Sequence, residues 1–472
     1  MPTQPDIVIF MSDQHTAGIM GCAGDEYVST PNLDRIAAEG TRFDNAYTSC
    51  PLCVPARMSF LSGQLPSRTG IFNNSHILSS EQATIPYALG AAGYETVLVG
   101  RMHFKGPDQR HGFERRLVGD FTPLYDGRGG PLRDDLGPYA NTPAGGFDKL
   151  YGGGTSPVLE YDRAVLAGAL ALLEEPHERP LFVVVGNYGP HHTYVAPPDL
   201  YRKYLDLLPP PRSDAREPYD LHPTLGERDF DPEVVKCMRA AYYGQVEHVD
   251  GIVGRVAEAF DAHLARAGRE GVFCYLSDHG DQIGEKKQWG KMTFYEESAA
   301  IPLMFRGPGV RAGRVIDAPV SIMDLAPTVC EMAGAPALPE QDGVSLVDVL
   351  GGGEADAQRA VFSELIRGGV AARMARRLNW KYASFGGREG EDVLTDLAND
   401  EGEYRNCRDA HPDVASSLRE VLNEGWDPDA VVAEHKRRSA HLKILAAWGA
   451  HVPVPEPERW KVPESSWETP TP

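Results

Sequence analysis

Apolar runs of three to six residues recur at 6–11, 96–99, 181–185, 272–276 and 303–305, with helically spaced segments between them. Runs this short read as buried strands, and their alternation with helices predicts an α/β fold, a large mostly parallel sheet sandwiched by helices. Pro31 near the start and Gly40 just past the end frame one helix. Asp231 and Pro232 open a longer one that runs with apolar spacing towards Leu264, and Gly334 stops a third over 321–332. The stretches 122–154 and 208–223 are dense in Gly, Pro and polar residues and read as long loops, a common place for binding surfaces. Glycines 351–353 separate this body from a C-terminal part with a strand-like run at 380–383. The 472 residues allow up to about three domains, or one large domain with an appendage.

In an open parallel sheet, ligands bind beyond the carboxyl ends of the strands. The runs are followed by Asp13, Gln14 and His15, by Arg101, Met102 and His103, by Pro190, His191 and His192, and by Asp278, His279, Gly280 and Asp281. Each group has an ordinary reading alone: Asp and Gly favour turns, and His or Arg in a loop is normally a solvated charge. Together they deliver carboxylates, imidazoles and a guanidinium to one rim, the composition of a hydrolytic site for a divalent cation and an anionic group.

Cys50 and Cys53 are spaced as in redox or zinc motifs, yet no second Cys or His pair at ligand spacing accompanies them. A thioredoxin-like site and a plain buried Cys both stay open locally. Pro55 suits the first turn of a helix and Gly63 its end. Cys53 then sits at a helix N-terminus, one turn before Arg57, where N–H groups and the positive dipole end favour an anion.

Cys53-Val54-Pro55-Ala56-Arg57 matches the C-x-P-x-R signature of type I sulfatases, in the alkaline-phosphatase superfamily. The segments 100–104, 190–191 and 277–281, with Gly290 and Lys291, resemble that family in the expected order. Residues 394–397, with Asn399, Asp400 and Glu403, resemble its C-terminal motif. The resemblance implies a catalytic domain over 1–355, a small C-terminal α+β subdomain over 356–425 and an oligomerising extension over 426–472. Residues 51–53, 63–69, 102–104 and 106–109 and the position of Asn74 are similar to the choline sulfatase subgroup. A quaternary ammonium calls for an aromatic cage, which makes Tyr125 and Tyr139 in the loop 122–154 expected substrate contacts beside Asn74.

The implied reaction is hydrolysis of a small organic sulfate ester, with choline sulfate as a candidate. A formylglycine-generating enzyme would oxidise Cys53 to an aldehyde. Of the two hydroxyls of its hydrate, one attacks sulfur and the other is deprotonated to expel sulfate. Asp13, Gln14, Asp278 and His279 match the family's metal ligands, most often for Ca2+. His279 stands where many members have Asn, which leaves Mn2+ or Mg2+ open. By the same resemblance Arg57, Arg101, Lys291 and His191 bind sulfate oxygens and the charge on the diol. His103 is the expected base, and His191 or Lys291 the acid for the leaving oxygen. Two positions depart from the pattern: Arg101 replaces a common Lys, and Gly189 stands where relatives often carry His.

Two other functions share these motifs. A phosphonate monoester or phosphodiester hydrolase uses the same nucleophile signature, and a catalytically silent binding protein would keep the fold with Cys53 unmodified or paired with Cys50. The charge balance, 46 Lys+Arg against 67 Asp+Glu or −21, argues against nucleic acid or an anionic membrane as partner. The longest apolar runs, such as 164–173, fall short of the ~20 residues that span a bilayer. Seven scattered cysteines are no disulfide framework, and no leader-like pattern opens the chain, so a cytoplasmic location is expected. Trp460 and Trp467 among prolines are expected to pack on a neighbouring subunit of a homo-oligomer.

Overall fold

The computed structural model describes residues 4–125, 149–209, 230–388, 390–452 and 455–463. Among them, eight strands form the main sheet: β1 (Asp6–Asp13), β2 (Thr41–Phe43), β3 (Glu95–Gly100), β4 (Arg115–Leu117), β5 (Leu181–Pro190), β6 (Gly271–Ser277), β7 (Leu303–Arg306) and β8 (Arg314–Ile316). Their order is β8-β2-β7-β6-β1-β5-β3-β4. The central strand β1 pairs in parallel with β5 and β6, and all three are buried along their whole length, hence their unbroken apolar runs. β7 runs antiparallel to both β2 and β6. Its direction is set by the connection that returns the chain, which a three-residue apolar run does not encode.

The side chains of β1 alternate between two cores. Ile7, Ile9 and Met11 pack with Val54, Met58 and Leu61 of α2 (Cys53–Ser62) and with Leu325 and Val329 of α5 (Leu325–Ala333). Val8 and Phe10 point the other way. They join Leu33 and Ile36 of α1 (Pro31–Glu39), Val165 and Leu172 of α3 (Pro157–Glu174), and Val253 and Phe260 of α4 (Pro232–Ala267). Helices thus cover both faces, as the alternation predicts. The helix read over 321–332 begins as a 3-10 turn, capped by Ser321, before α5 proper.

A second sheet follows, with antiparallel strands in chain order: β9 (Val361–Arg367), β10 (Val370–Arg377), β11 (Trp380–Phe385) and β12 (Val393–Asp396). One face packs on α6 (Pro412–Asn423) through Leu418 and Leu422. The other seats Leu365, Met374 and Ala383 on Cys50, Leu52, Phe294 and Tyr295 of the main body. The last long helix is α7 (Pro428–His451).

The stretch 122–154 holds one short strand, Tyr151–Gly153, paired with Tyr194–Ala196, while 126–148, including Tyr139, and 210–229 lie outside the described residues. Trp460 packs on its own chain, against Tyr161 at 5.3 Å and Phe121 at 6.0 Å, and so differs from the expected place on a neighbour. Trp467 lies outside the described residues. No helix among the described residues is long and apolar enough to cross a membrane.

Two glycines test this packing in opposite directions. A Cβ on Gly186 of β5 would come within 1.8 Å of the Arg101 carbonyl oxygen, whereas one on the exposed Gly251 of α4 meets nothing within 4 Å. Gly186→Ala should cost about 3 kcal/mol, while Gly251→Ala should gain up to about 1 kcal/mol. Opposite shifts of the urea midpoint would show it.

Candidate active site

Strand register brings the rim together. Ser12 of β1 lies opposite Ser277 of β6, so Asp13 and Asp278 leave the sheet side by side. Pro190 of β5 pairs with Asp13 and hands on to His191, and Gly100 of β3 pairs with Gly186 and hands on to Arg101. Asp13, Asp278, His279 and Cys53 place one ligand-type atom each within 4.8 Å of one another, all buried.

Helix α2 supplies the rest. Cys53 is its first residue, and Gly63 ends it in the left-handed conformation at φ 72°. The Arg57 guanidinium donates from Nε to Asp278 at 2.8 Å, from Nη2 to Asp13 at 3.0 Å and from Nη1 to the Arg101 carbonyl at 3.0 Å. That leaves Cys53 Sγ 2.9 Å from Lys291 Nζ, 3.2 Å from His279 Nε2 and 3.7 Å from Asp13 Oδ1. Burial and the Asp13 carboxylate push the Cys53 thiol pKa up, so the neutral thiol is favoured despite Lys291.

The donor set fits a hard divalent cation. Gln14 Nε2 donates to Asp281 and contacts His192 Nδ1, while its carbonyl oxygen Oε1 is buried with no hydrogen-bond partner. An orphaned oxygen of that kind is what a cation would satisfy. His279 Nδ1 lies 3.0 Å from the Gly280 carbonyl, which only accepts, so Nδ1 carries the proton and the Nε2 lone pair faces Asp13 and Asp278 at 3.8 and 3.6 Å. Burial lowers the His279 pKa to about 4, which keeps the ring neutral and able to ligate. Burial alone would raise Asp13, but Arg101, Arg57 and Lys291 reverse that and hold its carboxyl far below the ordinary range.

Arg101 is engaged by the protein through all three of its nitrogens. Its Nε bonds Asp13 at 2.7 Å, Nη1 bonds both oxygens of Asp120 at 3.0 and 2.9 Å, and Nη2 lies 2.7 Å from His103 Nδ1. The guanidinium also lies over the Tyr188 ring at 4.2 Å. Since a guanidinium only donates, His103 accepts at Nδ1 and carries its proton on Nε2. Burial, Arg101 and Lys105 push the His103 pKa well below its usual value. His191 Nε2 lies 4.0 Å from Asp13, beside Lys291 Nζ at the same distance from that carboxylate.

Asn74 Oδ1 accepts from the Val54 N–H at 2.9 Å and so caps the first turn of α2. Tyr125 packs edge-on against Trp448 of α7 at 5.7 Å. A Cβ at Gly189, where relatives often have His, would lie 2.7 Å from the buried Asp162, which accepts from the Tyr188 and Gly189 N–H groups. Sequence reasoning missed Asp120, the anchor of Arg101, because it follows the short edge strand β4 rather than a strong apolar run. It also gave no role to Tyr188 or to Tyr194, whose hydroxyl bonds Asp281 at 2.8 Å behind Gln14.

Comparisons with known proteins agree with this geometry. Residues 5–335 match the Sulfatase family, and residues 284–425 match the C-terminal region described for N-sulphoglucosamine sulphohydrolase. The chain is 32% identical to a choline-sulfatase of Rhizobium meliloti (strain 1021), over 98% of this chain and 91% of that protein. It is 28% identical to arylsulfatase K of Danio rerio, over 91% and 85%. The fold superimposes on a phosphonate monoester hydrolase of Agrobacterium radiobacter with a TM-score of 0.73 and 22% identity, over 91% of this chain and 96% of that one. Together with the buried Cys/Asp/His rim, these matches show that the chain belongs to the sulfatase family and is a sulfuric ester hydrolase.

Proposed function

We propose that this protein hydrolyses a small organic sulfate ester, using formylglycine made from Cys53 and a divalent cation, most plausibly Ca2+, held by Asp13, Gln14, Asp278 and His279. The observation that carries this reading is the place of Cys53 Sγ, at the start of α2 and at the focus of Lys291, His279 and Asp13. Sγ there stands in for the oxygens of the hydrated aldehyde, which supply the attacking hydroxyl. The cation would polarise those oxygens and neutralise charge on the sulfate. Lys291 is the cation nearest the nucleophile and the proton donor to the leaving oxygen, while His191, whose Nδ1 donates to the His192 carbonyl, offers its Nε2 lone pair. Arg57 and Arg101 hold Asp13, Asp278, Asp120 and His103 in place, and Arg57 uses three of its five N–H groups in doing so.

Residues 53–57 are buried in the folded chain, which supports maturation by a formylglycine-generating enzyme before folding is complete. The seven cysteines are unpaired, as suits a reducing cytoplasm. Choline sulfate remains a candidate because of the choline-sulfatase relative. Neither Asn74, occupied by Val54, nor Tyr125, packed on Trp448, adds to that case. Peptide mass spectrometry of protein from its native host should find the aldehyde at position 53. Turnover should favour an aryl sulfate over an aryl phosphonate, and Cys53→Ala should lower it by about three orders of magnitude or more. Thiol alone at Cys53, or a preference for phosphonate, would sink this reading.

Cation binding has its own test. Asp281 orients Gln14 from behind, so Asp281→Asn should weaken Ca2+ binding to the chelator-stripped protein by about tenfold in a calorimetric titration. Unchanged affinity would remove Gln14 from the ligand set.

We further infer a homo-oligomer built on α7. Ile444 and Trp448, one turn apart on α7, and Val452 just past its end are 71%, 45% and 37% exposed. A second copy of the chain is the occupant proposed. Light scattering should give a multiple of the 51.6 kDa chain mass, and Ile444→Asp should shift it towards that mass. A monomeric wild type would refute this.

A further inference from the structure

The C-terminal sheet carries polar groups whose contacts all converge on one segment of the catalytic body, 291–298. From β9, Arg367 Nη1 bonds the Met292 carbonyl at 3.2 Å. From β11, Lys381 Nζ bonds the Phe294 carbonyl at 2.7 Å and Glu296 Oε1 at 2.8 Å. Glu403, beyond β12, pairs with Lys381 and accepts the Glu296 N–H at 2.6 Å. Tyr47 closes the set on Glu296 Oε2 at 2.9 Å. Met292, Phe294 and Glu296, three alternate residues of the segment, are thus held from the C-terminal side.

What lies at the two ends of this segment matters. At one end Lys291 reaches Cys53 at 2.9 Å, and the Met292 N–H bonds the Pro51 carbonyl at 3.2 Å. At the other end the Ser298 carbonyl accepts the Gly280 N–H at 2.9 Å, and the Glu297 carbonyl accepts from Thr16 Oγ1 at 2.6 Å. Thr16 Oγ1 in turn accepts the Asp281 N–H at 2.8 Å. Gly280 and Asp281 directly follow His279, and Thr16 lies two residues past Gln14. One segment, buried at 293–295 and at Ser298, therefore spaces the cationic Lys291 at Cys53 from the loop that offers the candidate metal ligands.

Lys381 and Glu403 are 4% and 1% exposed. A buried ion pair stabilises a fold little compared with apolar residues of equal volume, so stability alone is a weak reason for placing one here. We propose that Lys381 and Glu403 are positioning residues of the active site, which act through 291–298 to set Lys291 against Cys53 and to hold the Gly280–Asp281 turn. The inference rests on the function proposed above for its kinetic part only.

The test uses the full chain with Lys381→Met, Glu403→Gln and, as the conservative control, Lys381→Arg. Near-UV circular dichroism establishes that each is folded at the assay temperature. With an aryl sulfate, kcat should fall about tenfold or more in the first two, with KM moving less than about threefold, and Lys381→Arg should recover most of it. Ca2+ affinity should weaken by a similar factor. Amide exchange across 278–298, measured on unmodified protein, should quicken in the same variants, and this readout survives even if the sulfatase reading fails. Should neither charge variant fold, Arg367→Met, which loses one bond to a carbonyl, should still lower kcat severalfold. Folded variants with kcat, Ca2+ affinity and exchange at wild-type values, whatever their melting temperature, would overturn the proposal.

Discussion

The site depends on the fork of Arg57. Parallel register forces Asp13 and Asp278 out of adjacent strands at the same level, inside the protein, where two carboxylates repel and neither is solvated. One planar guanidinium answers both, with Nε on Asp278 and Nη2 on Asp13, and uses its remaining arm on the Arg101 carbonyl. A lysine has the charge but not the three-way geometry. Because Arg57 lies one turn along α2 from Cys53, anchoring the fork also fixes the rotation of the helix. The nucleophile position and the metal carboxylates are then set by the same contact.

Arg57 bonds Asp13 and Asp278, and Arg101 bonds Asp13, Asp120 and His103, so both guanidinium groups are fixed in place before a substrate arrives. Groups held in this way contribute preorganisation. The cation left closest to the nucleophile is Lys291, with a divalent ion as the natural second. An acidic chain of −21 can therefore still receive a small anion, because attraction would come from Lys291 and the proposed cation within a buried rim rather than from bulk charge.

Much of this was readable from residue order. The runs that became β1, β3, β5 and β6 are buried on both faces and so lack polar interruptions, and the residues just past them are the rim. Pro55 and Gly63 framed α2 because a helix start tolerates Pro and its end favours a left-handed Gly. Partnership was not readable. Nothing in the order of residues says that Arg57 and Arg101 are consumed by carboxylates, since that follows from how three strands align. Asp120 and Asp162 were invisible for a related reason: each acts on a residue far away in sequence, Arg101 at the site and the backbone at Gly189. Asp162 also accounts for that glycine, since the volume a side chain would occupy is already filled. Trp460 finds partial cover on Phe121 and Tyr161 of its own chain, a partnership that residue order does not announce either.

The redox reading of Cys50 and Cys53 meets an electrostatic obstacle, although the spacing and the helix N-terminus both invite it. A reactive thiol needs its anion stabilised. Around Cys53 burial and Asp13 outweigh Lys291 and the helix dipole, and the pKa moves up. Cys50 is buried beside Glu364, and its pKa is pushed up as well. With neither sulfur favoured as thiolate, exchange chemistry has no starting point. The same carboxylates that suppress the thiolate would suit the neutral oxygen nucleophile proposed above, because with Gln14 and His279 they offer the donor set of a divalent cation. The proposed replacement of the Cys53 sulfur by oxygen is in keeping with surroundings that disfavour a sulfur anion.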